Sequence, residues 1–253
     1  MRANTALHAW RGRRQTIGAW LTLDSPLAAE TLAHAGFDWL CVDMQHGVID
    51  YDSTLAMLTA ISTTETIPFV RVPWNDPATI MRVLDAGAYG VVVPLVNNAE
   101  EAERAVAACR YPPFGIRSAG PVRARLYGGD DYLARANDEI ACIAMIETAE
   151  GIENLDAIAA TPGLNAVYVG PTDLALALGL EPRGDHTDPA HEAEVARVLE
   201  VCQGHGIAAG IHTGSVAFTR KYLAMGFQMV TLGVEARWME AGARADLDAA
   251  RAP

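Results

Sequence analysis

Lysine is nearly absent from this chain: its 253 residues hold one, Lys221, placed inside the helical run SVAFTRKYLAMG rather than at a strand end. Schiff-base catalysis needs a desolvated lysine amine at the reacting centre, so that chemistry is nearly excluded. The four cysteines, Cys41, Cys109, Cys142 and Cys202, are scattered without a CxxC pair, and they read as reduced thiols rather than a disulfide scaffold or zinc site. No GxSxG marks a nucleophile elbow, no GxGxxG follows the first strand, and no GxxxxGK[ST] occurs. Serine hydrolysis, a dinucleotide and a nucleoside triphosphate therefore have no support.

Positive charge is also scarce, with 19 Lys plus Arg against 31 acids and a formal net charge of −12. That balance argues against nucleic acid as a partner. The opening MRANTALHAWRGRRQ is basic, but no apolar run precedes Ile17 and the run that follows is broken by Asp24. No signal peptide or membrane span is expected, and a soluble cytoplasmic protein is the default expectation.

Apolar residues make up 51% of the chain, ample for a large core. They fall into eight short runs: IGAWLTL (17–23), DWLCVD (38–43), IPFVRV (67–72), GVVVPLV (90–96), EIACIAMIE (139–147), NAVYVG (165–170), GIAAGI (206–211) and FQMVTLG (227–233). Between them lie helical segments at 25–36, 52–62, 76–87, 99–110, 150–160, a short LALALG, 188–204, 215–226 and 235–249. Ser25-Pro26 and Asp76-Pro77 supply a cap acceptor and a preset φ, and Gly36 and Gly87 supply the stops. Eight mostly apolar strands alternating with helices predict a closed (β/α)8 TIM barrel as one domain over 1–253, behind a short N-terminal helix. A doubly wound open sheet is the alternative. The stretch 111–138 is longer than an ordinary connection and reads as a functional loop with partial helix.

In a barrel the C-terminal ends of the strands carry the chemistry. The polar residues there are Asp43 and His46 after the second strand, Arg71 at the third, Glu147 at the fifth and Asp173 beyond the sixth. An ionised Glu147 at the end of so apolar a run needs a partner, either a metal ion or a structural salt bridge. Asp173 is a second metal carboxylate or a helix cap. Asp43, three residues before His46, has the chemistry to orient an imidazole acting as general base. Arg71 suits a two-pronged grip on a substrate carboxylate, or an internal ion pair with one of these acids. Arg117, Arg123 and Arg125 form a cationic cluster that either attracts an anionic substrate or faces a neighbouring subunit. His212 and Thr213 line the pocket or make an ordinary turn, Trp20 is a candidate wall, and Trp39 is read as packing.

Taken together, GAWLTLDSPLAAETLAHAGFDWLCVDMQHG, PFVRVPWNDP, LDAGAYGVVVPLVNNAEEA, RYPPFGIRS, MIETAEGIENLDAI and VYVGPTDLALALG resemble the HpcH/HpaI family of metal-dependent class II pyruvate aldolases, over nearly the whole chain. The resemblance implies that Glu147 and Asp173 bind a divalent cation (Mg²⁺, Mn²⁺ or Co²⁺). It implies that His46 and Asp43 manage protons and that Arg71 holds the keto-acid oxygen. Backbone around Gly170, Pro171, Thr172 and Asp173 receives the substrate carboxylate, although Pro171 has no N–H. It further implies a homohexamer, a trimer of dimers with exchanged C-terminal helices, acting on a keto acid and an aldehyde through a pyruvate or hydroxypyruvate enolate. Two positions depart from the family pattern: Gln45 replaces an acid, and Met145 replaces a glutamine. A citrate-lyase-like enzyme cleaving CoA thioesters, a hydrolytic or decarboxylating keto-acid enzyme, and a silent barrel that binds small acids are the alternatives.

Overall fold

The computed structural model describes residues 1–252. Among them eight strands, β1 (Thr16–Leu21), β2 (Trp39–Asp43), β3 (Ile67–Arg71), β4 (Gly90–Val93), β5 (Ala141–Ile146), β6 (Ala166–Val169), β7 (Ala208–Ile211) and β8 (Met229–Val234), pair in chain order and close β8 onto β1. Every pairing is parallel. The chain is a (β/α)8 barrel.

The interior is filled by alternation of large and small residues. Trp39, Phe69 and Tyr168 occupy space left by Gly18, Gly90 and Gly210, where an added Cβ would meet the rings at 2.1, 2.6 and 2.6 Å. Such packing makes a solid core and confines open space to the ends of the strands. The N-terminal end is closed by α1 (Thr5–Arg11), whose cap residue Asn4 donates from Nδ2 to the Tyr89 and Glu139 carbonyls at 2.9 Å each.

The outer ring comprises α2 (Pro26–Ala33), α3 (Tyr51–Ile61), α4 (Pro77–Asp85), α5 (Ala99–Cys109), α6 (Val122–Gly128), α7 (Tyr132–Glu139), α8 (Ala149–Glu153), α9 (Leu155–Ala159), α10 (Pro171–Ala177), α11 (Pro189–His205), α12 (Val216–Met225) and α13 (Glu235–Arg251). The Ser25 and Asp76 side chains accept from Ala28 and Thr79 amides, as the capping pattern predicts. None of these helices is long and apolar enough to cross a membrane.

Three local expectations change. The fourth strand stops at Val93, because Pro94 gives no N–H to the ladder and Leu95 turns to a φ of 54°. The helix expected over 150–160 is two short ones meeting at Asn154. The stretch 111–138 holds the expected partial helix, α6 and most of α7, but as a helix-to-strand connection it lies at the N-terminal end of the barrel, away from the chemistry. Two of its three clustered arginines are taken up inside the fold, and the third makes an exposed surface pair. Arg117 is buried against Asp85 at 2.7 Å and the Tyr132 hydroxyl at 3.0 Å, Arg123 donates to the Ala86 carbonyl at 2.6 Å, and Arg125 pairs with Asp130 at 3.0 Å.

Candidate active site

Side chains of a strand alternate between inside and outside, so residues two apart share the barrel interior. That rule carries β2 from Cys41 to Asp43 and β3 from Phe69 to Arg71. Asp43 and Arg71 stand directly opposite in the β2–β3 register. Arg71 donates from Nε to Asp43 Oδ1 at 2.8 Å and from Nη2 to Oδ2 at 2.5 Å, and both side chains are buried. Among the described residues the third guanidinium nitrogen, Nη1, meets only the Met145 sulfur, at 3.8 Å. Burial opposes the Arg71 charge, but the hydrogen-bonded Asp43 carboxylate outweighs it and raises the Arg71 pKa.

This pairing changes the expected role of Asp43. Its Oδ1 also accepts from the backbone amides of Gln45 at 3.0 Å and His46 at 3.3 Å, so the carboxylate shapes the turn after β2 rather than orienting the imidazole. His46 is exposed, and its ring has no hydrogen-bond partner among the described residues. The internal ion pair is thus the arrangement observed for Arg71, with Nη1 left over.

Glu147 follows β5 and is 3% exposed. Its Oε1 accepts from the Leu95 amide at 3.0 Å, a bond made possible by the left-handed turn at Leu95. Strained backbone of this kind persists where the surroundings require it. The second oxygen lies over Gly170, where a Cβ would intrude to 2.4 Å of Oε2. Burial chiefly pushes the Glu147 pKa up to about 7; the Leu95 amide lowers it, Asp173 raises it again and Arg71 lowers it. No salt bridge to Glu147 or Asp173 is present among the described residues. Two neighbouring carboxylates, one of them buried and unpaired, form a donor set that fits a hard divalent cation.

Asp173 is exposed in the first turn of α10 and does not cap that helix, which has no side-chain cap. Of the neighbouring amides, that of Gly170 is already bonded to the Ile146 carbonyl at 3.2 Å, and Pro171 has none. The amides of Thr172 and Asp173 remain for a ligand.

Trp20 forms the floor rather than a wall. Its Nε1 donates to Thr231 Oγ1 at 2.9 Å and to the Tyr168 hydroxyl at 3.0 Å, and the Arg71 guanidinium lies 4.5 Å above its ring. His212 meets the same indole edge-on, with centroids 5.5 Å apart, and its pKa is lowered to about 4 by burial first and by Arg71 and Arg237 next. Thr213 is fully buried and bonded to Thr219 and Thr231, so it belongs to the turn. Trp39 is core, stacked on Phe69.

Sequence reasoning missed Leu95, whose contribution is a backbone amide, and Glu235, which is buried at the start of α13 and accepts from the Leu23 amide at 2.6 Å. Both tie the ends of neighbouring strands, β4 to β5 and β8 to β1, whose loops are distant in sequence.

A profile of the HpcH/HpaI aldolase/citrate lyase family matches residues 16–240. The chain belongs to this family. Among HpcH/HpaI relatives, the hydroxypyruvate/pyruvate aldolase of Rhizorhabdus wittichii is 41% identical over 249 residues, covering 98% of this chain and 99% of that one. The 5-keto-4-deoxy-D-glucarate aldolase of Shigella dysenteriae is 40% identical over 227 residues, covering 89% and 88%. The crystal structure of an HpcH/HpaI aldolase/citrate lyase family protein from Burkholderia cenocepacia superposes with a TM-score of 0.92 at 37% identity, covering 99% of this chain and 100% of that one.

Proposed function

We propose that the protein is a divalent-metal-dependent aldolase that cleaves or forms 4-hydroxy-2-keto acids through the enolate of pyruvate or hydroxypyruvate and an aldehyde. One observation carries the reading. Among the described residues a buried carboxylate that makes no salt bridge, Glu147, lies near a buried guanidinium whose Nη1 has no oxygen partner, Arg71. The names of the relatives favour the aldolase side of the family over the citrate-lyase side.

Glu147 and Asp173 would hold the cation, with Mg²⁺, Mn²⁺ and Co²⁺ all suited to a few carboxylates. Such a cation supplies Lewis-acid polarisation of the donor's keto group, which lowers the cost of enolisation. Arg71 donates from Nη1 to the donor oxygen on which charge grows. Because Asp43 already fixes the guanidinium plane, this stabilisation needs no reorganisation. The amides of Thr172 and Asp173 receive the donor carboxylate. His46, at the mouth, takes the proton of the 4-hydroxyl in cleavage and returns it in synthesis. Trp20 seals the floor and keeps water from beneath the guanidinium.

The proposal extends to a homohexamer with exchanged C-terminal helices. Its support is α13, of which only Glu235 is buried and which leaves Met239 and Leu247 exposed in the single chain.

The test is deuterium incorporation at C3 of pyruvate and of hydroxypyruvate in D₂O, followed by NMR on EDTA-treated protein with and without added Mg²⁺, Mn²⁺ or Co²⁺. Metal-restored exchange is expected. Folded protein that exchanges neither donor with any of the three ions overturns the reading.

A further inference from the structure

His191 is fully buried in the first turn of α11, and its ring reaches back to the first residue of α10. Its Nε2 lies 3.0 Å from the Pro171 carbonyl oxygen. A carbonyl has no hydrogen to give, so Nε2 carries the proton and donates. The Nδ1 of the neutral ring is then an acceptor, and it is buried with no partner among the described residues. An unsatisfied buried acceptor costs stability, and an apolar side chain of similar size would fill the same space without that cost. The ring's distinctive contribution is therefore its N–H to Pro171.

That bond falls where the turn has few others. Pro171 offers no amide, Gly170 gives α10 no side-chain cap, and the Gly170 amide makes the one strand tie, to Ile146. Asp173 itself has no hydrogen-bonded side-chain partner among the described residues, so the backbone turn sets where its carboxylate stands.

The His191 ring is in turn clamped. His186 stacks on it with centroids 4.9 Å apart and planes at 21°. His186 is locked by the Asp188 amide donating to Nδ1 at 3.1 Å and by its own Nε2 at 3.1 Å from the Glu181 carbonyl. The adjacent Glu192 pairs at 2.5 Å with Lys221 of α12, the chain's single lysine.

We infer that His191 is a positioning residue: supported by the His186 stack, it holds the Gly170–Asp173 turn through Pro171 and thereby places the Asp173 carboxylate beside Glu147. The inference rests on the reading of those two carboxylates as a divalent-cation site. Groups hydrogen-bonded directly to a metal ligand commonly contribute about 10- to 100-fold in metal affinity, and His191, acting one step behind through the Pro171 carbonyl, is set at the lower end of that range.

The experiment is direct titration of Mn²⁺ into the EDTA-treated and desalted protein, followed by the EPR signal of free Mn²⁺, with thermal unfolding of each variant alongside. His191→Leu removes the N–H and is expected to weaken Mn²⁺ binding by about 10-fold or more. His191→Gln offers an amide N–H at the Nε2 position and is expected to bind within about 3-fold of the parent, whatever its unfolding temperature. Parent-like binding by His191→Leu overturns the inference, and so does equal weakening in both variants. If His191→Leu does not fold, His186→Leu, which removes only the stacking ring, takes its place: weaker binding is expected, and parent-like binding overturns the inference. A parent that binds no Mn²⁺ removes the cation site itself, and the inference falls with it.

Discussion

Asp43 and Arg71 face each other across neighbouring strands and join through two parallel hydrogen bonds, 2.8 Å to Nε and 2.5 Å to Nη2. The carboxylate fixes the plane of the guanidinium and, against the cost of burial, raises the Arg71 pKa. Each makes the other tolerable in a site lined by Trp20 and Met145.

Arg71→Ala is expected to leave Asp43 buried and uncompensated, at a cost of about 3–5 kcal/mol in urea unfolding. It is also expected to retain Mn²⁺ binding but lose C3 exchange. Arg71→Lys restores charge without the fork and should recover stability better than exchange. Unchanged exchange in the alanine variant would remove Arg71 from the site.

Glu147 makes the cation-free protein pH-dependent. Its folded pKa of about 7 lies above the ordinary 4.5, so the folded state binds the extra proton. That contribution is fully present below about pH 4.5 and is lost as pH rises through about 7, for a total on the order of 3 kcal/mol. Glu147→Gln is expected to flatten this slope and, in EDTA, to exceed the parent's stability above neutral pH. Denaturant unfolding at about pH 5 and about pH 8 checks the sign. Glu147→Ala should abolish metal-stimulated turnover, and near-normal turnover would sink its assignment as a ligand.

Gly170→Ala tests the space over Glu147. The added methyl would stand 2.4 Å from Oε2 and 3.0 Å from the Glu147 Cβ, so the carboxylate must move. A destabilisation of about 1–3 kcal/mol is expected from overpacking. Mn²⁺ titration should show weakened binding, and parent-like affinity would place the cation elsewhere.

His46→Asn separates chemistry from folding. An exposed ring without protein partners should change stability by no more than about 0.5 kcal/mol. Cleavage of a 4-hydroxy-2-keto acid should fall by about 10²-fold or more if the imidazole moves the proton. A variant that cleaves at the parent rate assigns that proton to another group.

Much of this protein was legible in its residues. Apolar runs such as IPFVRV and IACIAMIE, separated by helices with Ser-Pro and Asp-Pro starts, can be buried on both faces only inside a covered parallel sheet. Arg71 and Glu147 announced themselves because a charge at the end of such a run has to meet something. The stretch 111–138 misled, since its glycines and arginines have the composition of a substrate loop. Its place between a helix and a strand puts it at the far end of the barrel.

What residue type and order determined was the succession of strands and helices and the identity of the charged groups at the strand ends. What only the tertiary structure decided was who meets whom. Asp43 pairs with Arg71 on the neighbouring strand, not with the imidazole three residues away; Glu147 takes the Leu95 amide; and the Pro171 turn is held from behind by His191. The reason is geometric. Local sequence sets the backbone dihedrals of each element, whereas these hydrogen-bond partners sit on neighbouring strands and helices many residues apart in sequence, and no short stretch of chain contains that pairing.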